Sequence, residues 1–210
     1  MKLLKQNIVV SLLMIFHIIG MLGLSFQSSQ DVFLFLTPYH LLFTFILIFI
    51  SKNYTKKFFQ LTALIFLLGF IVEVLGVYSG FLFGDYVYGD GLGLKIFKVP
   101  LVIGLNWFIL VYASRGIVNY YFKNNVIQIL LSSLLMVLLD LLIEPVAINF
   151  DWWSWGLGYV PFSNYLMWFL VAFVMQIIIS LKKYEISKSI AISLFLAQLI
   201  FFTYLNSIVV

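Results

Sequence analysis

Apolar residues fall along this chain in seven long blocks, at roughly 7–26, 32–51, 58–82, 99–118, 126–149, 162–181 and 189–209. A helix that crosses a bilayer needs about 20 apolar residues, so each block is long enough to span one. The pattern predicts an all-α fold, a polytopic transmembrane bundle of about seven helices, forming one domain over residues 1–210 without repeats or linkers. Pro38, Pro100 and Pro161 fall near block starts, where a missing N–H costs little. Pro145 sits late in the fifth block and is expected to kink that helix or end it. The run from Ile8 to Phe26 has 19 residues. That is longer than the apolar region of a signal peptide, and no small-x-small cleavage site follows, so it too reads as a span.

The polar segments between blocks orient the bundle. With the N-terminus inside, inner segments carry Lys2, Lys5, Lys52, Lys56, Lys57, Arg115, Lys123, Lys182, Lys183 and Lys188, ten of the twelve basic residues. Only Lys95 and Lys98 fall outside. Cytoplasmic loops are enriched in Lys and Arg, so the expected topology is N-in and C-out. The same topology sorts the acids. Asp31, Asp85, Asp90 and Asp151 lie in outer loops, Glu73, Asp140 and Glu144 in the outward halves of their spans, and Glu185 on the inner side.

Composition agrees and removes several classes of function. Charged residues make up 10% of the chain and hydrophobic ones 64%, whereas a soluble domain averages about 25% charged. This is the make-up of an integral, multi-pass protein of the inner (plasma) membrane, with lipids as its surroundings. The net charge of +4 is accounted for by topology. No cluster of cations interleaved with stacking aromatics lies outside the spans, so no nucleic-acid partner is expected. Without Cys, and with only His17 and His40, disulfides, thiolate nucleophiles and a metal centre are not expected either.

Six of the eight acidic residues and four of the five Trp fall in two segments, Phe83–Pro100 and Asp140–Asn164, together with Glu73 and Trp107 nearby. Ionisable groups inside spans are costly and mark function by default. Asp140 and Glu144 are spaced i, i+4, so both carboxyls project from one helix face. Two carboxyls that close in low dielectric do not both ionise readily, which leaves an acid available for protonation chemistry. The plainer reading is a water-exposed helix end. Glu73 lies in IVEVLGVYSG, where Gly76 and Gly80 would let a neighbouring helix approach; its carboxyl is an interhelical hydrogen-bonder or an active-site acid. Asp140 is the first candidate for proton donor or its immediate partner, with Glu144, Glu73 and Asp85 as competitors.

The loops add aromatics. GDYVYGDGLG carries Tyr86 and Tyr88 but lacks the spacing of a phosphate loop. Trp152, Trp153 and Trp155 follow the fifth block. An interfacial belt accounts for single aromatics, but three Trp in four residues could also stabilise a cation or pack against a polyene. His17 and His40 read as hydrogen-bonding core residues. A retinal Schiff base is excluded because the seventh block has no Lys. A prenyltransferase would use D-x-x-x-E to hold Mg²⁺ and diphosphate, yet the motif occurs once and no basic cluster lies beside it.

Taken in order, the polar segments carry a pattern: G-D-Y-x-Y…L-G…V-P from Gly84 to Pro100, Asn106-Trp107, D-x-x-x-E-P at Asp140–Pro145, W-x-W at Trp153–Trp155, and V-P-x-x-N-Y-x-x-W from Val160 to Trp168. Over roughly residues 60–180 this resembles the CruF-type membrane carotenoid hydratases, which include carotenoid 1',2'-hydratases and bisanhydrobacterioruberin hydratases. Glu144 stands where that pattern leads one to expect Asp, which keeps a carboxyl but lengthens its reach by one methylene.

The resemblance implies an enzyme that adds water to the terminal isopropylidene double bond of an acyclic carotenoid. Such a reaction protonates a carbon and stabilises a tertiary carbocation until water attacks, and it needs no cofactor. A carboxylic acid would supply the proton, and the faces of Tyr86, Tyr88, Trp153 and Trp155 would stabilise the cation. The matched motifs also place Asn106, Trp107, Asn164 and Trp168 among the implied substrate-binding residues. The partners are then a lipophilic polyene and water. Two other readings remain open: a carotenoid or isoprenoid cyclase, which starts with the same protonation, and a non-enzymatic carotenoid carrier or proton-coupled transporter.

Overall fold

A computed structural model describes residues 2–51, 54–182 and 184–209; Lys52 and Lys183, two of the expected inner-loop cations, lie outside them. Seven helices account for most of the chain: α1 (Lys2–Ser25), α2 (Gln27–Ile50), α3 (Lys56–Ser79), α4 (Val102–Tyr121), α5 (Asn125–Asn149), α6 (Phe162–Lys182) and α7 (Lys188–Val209). All seven are long and apolar enough to cross a membrane, the make-up of a multi-pass membrane protein. Local signals set several of their ends. The Thr55 side chain accepts from Phe58 N at the start of α3, and Asn124 Oδ1 accepts from Val126 N and Ile127 N at the start of α5; each satisfies donors the first turn leaves free. Gly80, left-handed at φ 61°, stops α3 by returning its N–H to Gly76 O, as helix-ending glycines do.

The centre of the bundle is α4, with 13 of its 20 residues buried. Helices α3, α5 and α7 pack around it, α1 lies against α7 and α2, α2 also touches α4, and α6 covers α5. Large apolar side chains such as Phe35, Leu67, Leu75, Leu138 and Val174 face outward. In water such a surface would be a liability; against lipid tails it is the expected exterior.

Two proline expectations change. Pro38 lies well inside α2 and not at its start, because α2 begins at Gln27. Pro145 does not end α5, which runs on to Asn149. It falls in the last turns of that helix, where neighbouring helices and loops can take up the disturbed backbone.

Two short ribbons at one end of the bundle were not legible as strands. β1 (Tyr86–Tyr88) pairs antiparallel with β4 (Trp153–Trp155), in the register Tyr86↔Trp155, Val87↔Ser154 and Tyr88↔Trp153. β2 (Lys95–Ile96) pairs with β3 (Val99–Pro100). The α3–α4 and α5–α6 connections therefore fold together. Gly89 donates its N–H to Trp152 O at 3.0 Å, and a side chain there would collide with the Asp151 carbonyl. Asp151 itself turns the chain at φ 52°, a conformation Asp tolerates better than most residues.

Candidate active site

The site is assembled by two periodicities meeting. Side chains alternate across a strand, so Tyr86 and Tyr88 share one face of β1 while Val87 points away. Trp153 and Trp155 share the corresponding face of β4, with Ser154 exposed. Those four rings face helix positions spaced by three or four. Gly69, Glu73 and Gly76 line one side of α3; Asp140 and Glu144 one side of α5; Asn164 and Trp168 one side of α6.

Glu73, 4% exposed, accepts three hydrogen bonds. Tyr86 Oη and Tyr88 Oη donate to Oε2 at 2.6 and 2.8 Å, and Trp107 Nε1 donates to Oε1 at 2.9 Å. Glu144, 1% exposed, is held in the same fashion: Trp153 Nε1 and Trp155 Nε1 each donate to Oε2 at 2.9 Å. One amide nitrogen of Asn164 reaches Glu144 Oε1 at 3.1 Å and Asp140 Oδ2 at 2.9 Å. The other oxygen of Asp140 is buried with no partner among the described residues. Trp168 stacks on Trp107, ring centroids 4.2 Å apart.

The surroundings tune the tyrosines. Burial, reinforced by the Glu73 carboxyl beside them, pushes the Tyr86 and Tyr88 phenols far above their ordinary range, so both remain hydrogen-bond donors. At the rim, Lys95 Nζ donates to Asp90 Oδ1 at 2.6 Å and to Tyr88 O at 2.9 Å. That contact lowers the exposed Asp90 carboxyl below its ordinary value and pins the loop across β1.

Two cavities meet here. A small chamber of about 20 Å³ is lined by Glu73, Tyr86, Tyr88, Asn106, Glu144 and Asn164, closed by Phe83, Ile103, Trp153, Trp155 and Trp168. A larger, mostly apolar cavity of about 380 Å³ lies between α1, α2, α4 and α7, and reaches Trp152 and Trp153. Ile103, Asn106 and Trp153 line both.

Of the residues singled out from sequence, Glu73, Glu144, Tyr86, Tyr88, Asn106, Trp153, Trp155, Asn164 and Trp168 line the small chamber. Trp107 stands behind it, joined to Glu73. Among the described residues Asp140 is hydrogen-bonded to the cluster through Asn164, and it does not line the chamber. Asp85 is exposed, on the opposite strand face from Tyr86, and stays out of the cluster. The nearest neighbours of Gly76 are Phe83 and Tyr86, while Gly80 meets nothing within 4 Å. His17 Nδ1 donates to Leu13 O at 2.8 Å, and its ring meets His40 edge-on at 4.6 Å. Both histidines line the larger cavity with Gln198, which the sequence reading passed over. Its only signal was an amide in the middle of an apolar block.

The sequence profile of a family described as carotenoid biosynthesis protein matches residues 34–210. The chain belongs to the carotenoid biosynthesis protein family. A relative, bisanhydrobacterioruberin hydratase from Haloarcula japonica, is 29% identical over 112 residues, which cover 47% of this chain and 36% of that protein. The match thus spans little more than a third of the relative's length. No solved structure matches. Membership assigns this carotenoid biosynthesis protein a role in making carotenoids.

Proposed function

We propose that the protein hydrates the terminal C1–C2 double bond of an acyclic carotenoid end group, giving a tertiary alcohol. The observation that carries this reading is the junction of the two cavities. An apolar cavity suited to a polyene shares three wall residues, Ile103, Asn106 and Trp153, with a chamber lined by two carboxyl groups. Apolar pockets with a few convergent polar groups are the usual form of ligand sites.

In this mechanism the polyene end group lies at the junction, and Glu144 delivers a proton to C2. Asp140, tied to Glu144 through Asn164, shares and replenishes that proton, since two close carboxyls in a dry site do not both ionise readily. The geometry thus favours Asp140 as the partner of the donor, with Glu144 as the donor. The cation left at C1 faces the Trp153 ring, backed by the Trp107–Trp168 stack, which stabilises positive charge without competing for it as a nucleophile. Water adds at C1. Glu73, held by three donors, takes the proton that the incoming water gives up and returns it to the Asp140–Glu144 pair, which restores the starting state. The bonds formed are C2–H and C1–O; the net change is the addition of one water.

The test is pigment analysis. Expressed in a host that accumulates lycopene or γ-carotene, the chain should convert the pigment to a product heavier by one water. A product of unchanged mass with a new ring would replace hydration by cyclisation, and an unchanged pigment that co-purifies with the protein would indicate a carrier.

A further inference from the structure

We infer that the small chamber is a binding site for a single water molecule, the one that attacks the cation, and that Asn106 positions it at the wall shared with the polyene cavity. This inference rests on the hydratase reading and assigns the origin of its second reactant.

The size of the chamber is the first argument. One buried water needs about 10–15 Å³ and two to four polar partners. The chamber, at about 20 Å³, admits one water and is far too small for an isoprenoid end group. The cavity beside it, at about 380 Å³, has the opposite character. The two reactants thus have separate compartments, one with several polar groups in its wall and one almost wholly apolar.

The second argument is the state of Asn106. Nearly every other polar group in the chamber wall is engaged. Tyr86 and Tyr88 donate to Glu73, Trp153 and Trp155 to Glu144, and Asn164 to both Asp140 and Glu144. The side chain of Asn106 makes no hydrogen bond to any described residue. It lines both cavities, and on α4 it lies one turn from Ile103, which also lines both. An amide in that position can accept one hydrogen of a water and leave the other to a carboxylate oxygen. The oxygen lone pair then faces the polyene cavity. When C1 becomes a cation, the C1–O bond forms from that lone pair and the released proton passes to Glu73.

The experiment separates protonation from water addition. The enzyme, in membranes or nanodiscs, is given a polyene with a terminal isopropylidene group in D₂O. If deuteron transfer precedes water attack, a cation that is not captured returns a proton from C2 and leaves deuterium on the recovered alkene. In Asn106→Leu, which keeps the volume and removes both polar atoms, hydration should fall on the order of 10²-fold, as for a misplaced reactant. Deuterium should still enter the recovered polyene. Asn106→Asp, the same shape with an acceptor retained, should hydrate within about tenfold of the wild type. Hydration by Asn106→Leu at the wild-type rate overturns the proposal. So does loss of hydration and exchange together in a Leu variant that still shifts the absorbance of bound polyene. A wild-type protein that binds the polyene and never hydrates it defeats the hydratase reading itself, a different result from either.

Discussion

Trp107 lies almost flat on Trp168, 18° from parallel with ring centroids 4.2 Å apart, so the central helix α4 and the outer helix α6 meet through two indoles. Trp107 also donates its N–H to Glu73 on α3, while Asn164, one turn before Trp168, holds both carboxyls of α5. Four helices therefore converge on one polar cluster through side chains alone. Buried polar networks in which each donor is satisfied hold a unique arrangement; a broken one is costly.

The two carboxyls of α5 should separate by role. Glu144→Gln removes the proton donor that reaches the chamber and should lower hydration by about 10²–10⁴-fold. Asp140→Asn leaves that donor in place and disables its partner. It should slow turnover by a smaller factor, with Asp140→Glu partly active. Pigment conversion per unit of membrane-inserted protein measures both. Equal, near-complete loss in the two variants would return Asp140 to the role of donor, and normal conversion by Glu144→Gln would remove Glu144 from it.

Close packing at Gly69 fixes Trp107. A methyl group there would lie 2.5 Å from Trp107 Cβ and Cγ, with both partners on helices that cannot easily part. Gly69→Ala should destabilise the protein by about 1–3 kcal/mol, the usual cost of overpacking. Moving the indole also strains its bond to Glu73, so conversion should fall with stability. Thermal unfolding in detergent measures the first and pigment yield the second; an unchanged melting temperature would mean that α3 and α4 separate more freely than the packing implies.

How much of this was legible in the sequence differs by level. Seven helices followed from seven apolar blocks because a bilayer demands that length and little else. The cluster's membership followed from the cost of polar groups near the membrane. What a list of residues could not convey was facing. Asp85 and Tyr86 are neighbours in sequence, yet the strand's alternation sends Tyr86 to Glu73 and Asp85 to the exterior. Three-residue strands are too short to announce themselves by period, so the alternation of Tyr86, Val87 and Tyr88 became meaningful only once β4 was opposite. That Gln198 and the two histidines share a cavity was hidden for a different reason. They belong to three helices, and the cavity they line exists only after α1, α2 and α7 pack.

Orientation is a separate expectation. The helix directions put Lys56, Lys57, Lys123, Lys182 and Lys188 at the end of the bundle opposite the ribbons. Cation-rich loops stay cytoplasmic, so the carboxyl cluster should lie in the outward half of the membrane. Reporter fusions in the α2–α3 and α6–α7 loops should read as cytoplasmic and a fusion in the α3–α4 loop as external. The reverse pattern would place the cluster in the inner leaflet.

The tyrosines predict an alkaline limit on stability. In the folded protein the Tyr86 and Tyr88 phenols are raised far above their ordinary value by burial and by the Glu73 carboxyl beside them. In the unfolded chain both should titrate near pH 10. Below that pH, folded and unfolded forms carry the same phenolic protons and the contribution to stability is complete. Above it the unfolded chain loses protons that the folded one keeps, so stability falls as pH rises. The unfolding temperature in detergent should therefore drop more steeply above pH 10 than between pH 7 and 9. Other tyrosines share in the slope, so the decisive comparison is with a Tyr86→Phe, Tyr88→Phe double variant. It loses the two hydrogen bonds to Glu73, each about 0.5–1.5 kcal/mol, and starts lower. It should nevertheless decline less steeply above pH 10, because two of the titrating phenols are gone. Parallel curves for the two proteins would show that these phenols are not held protonated by the fold.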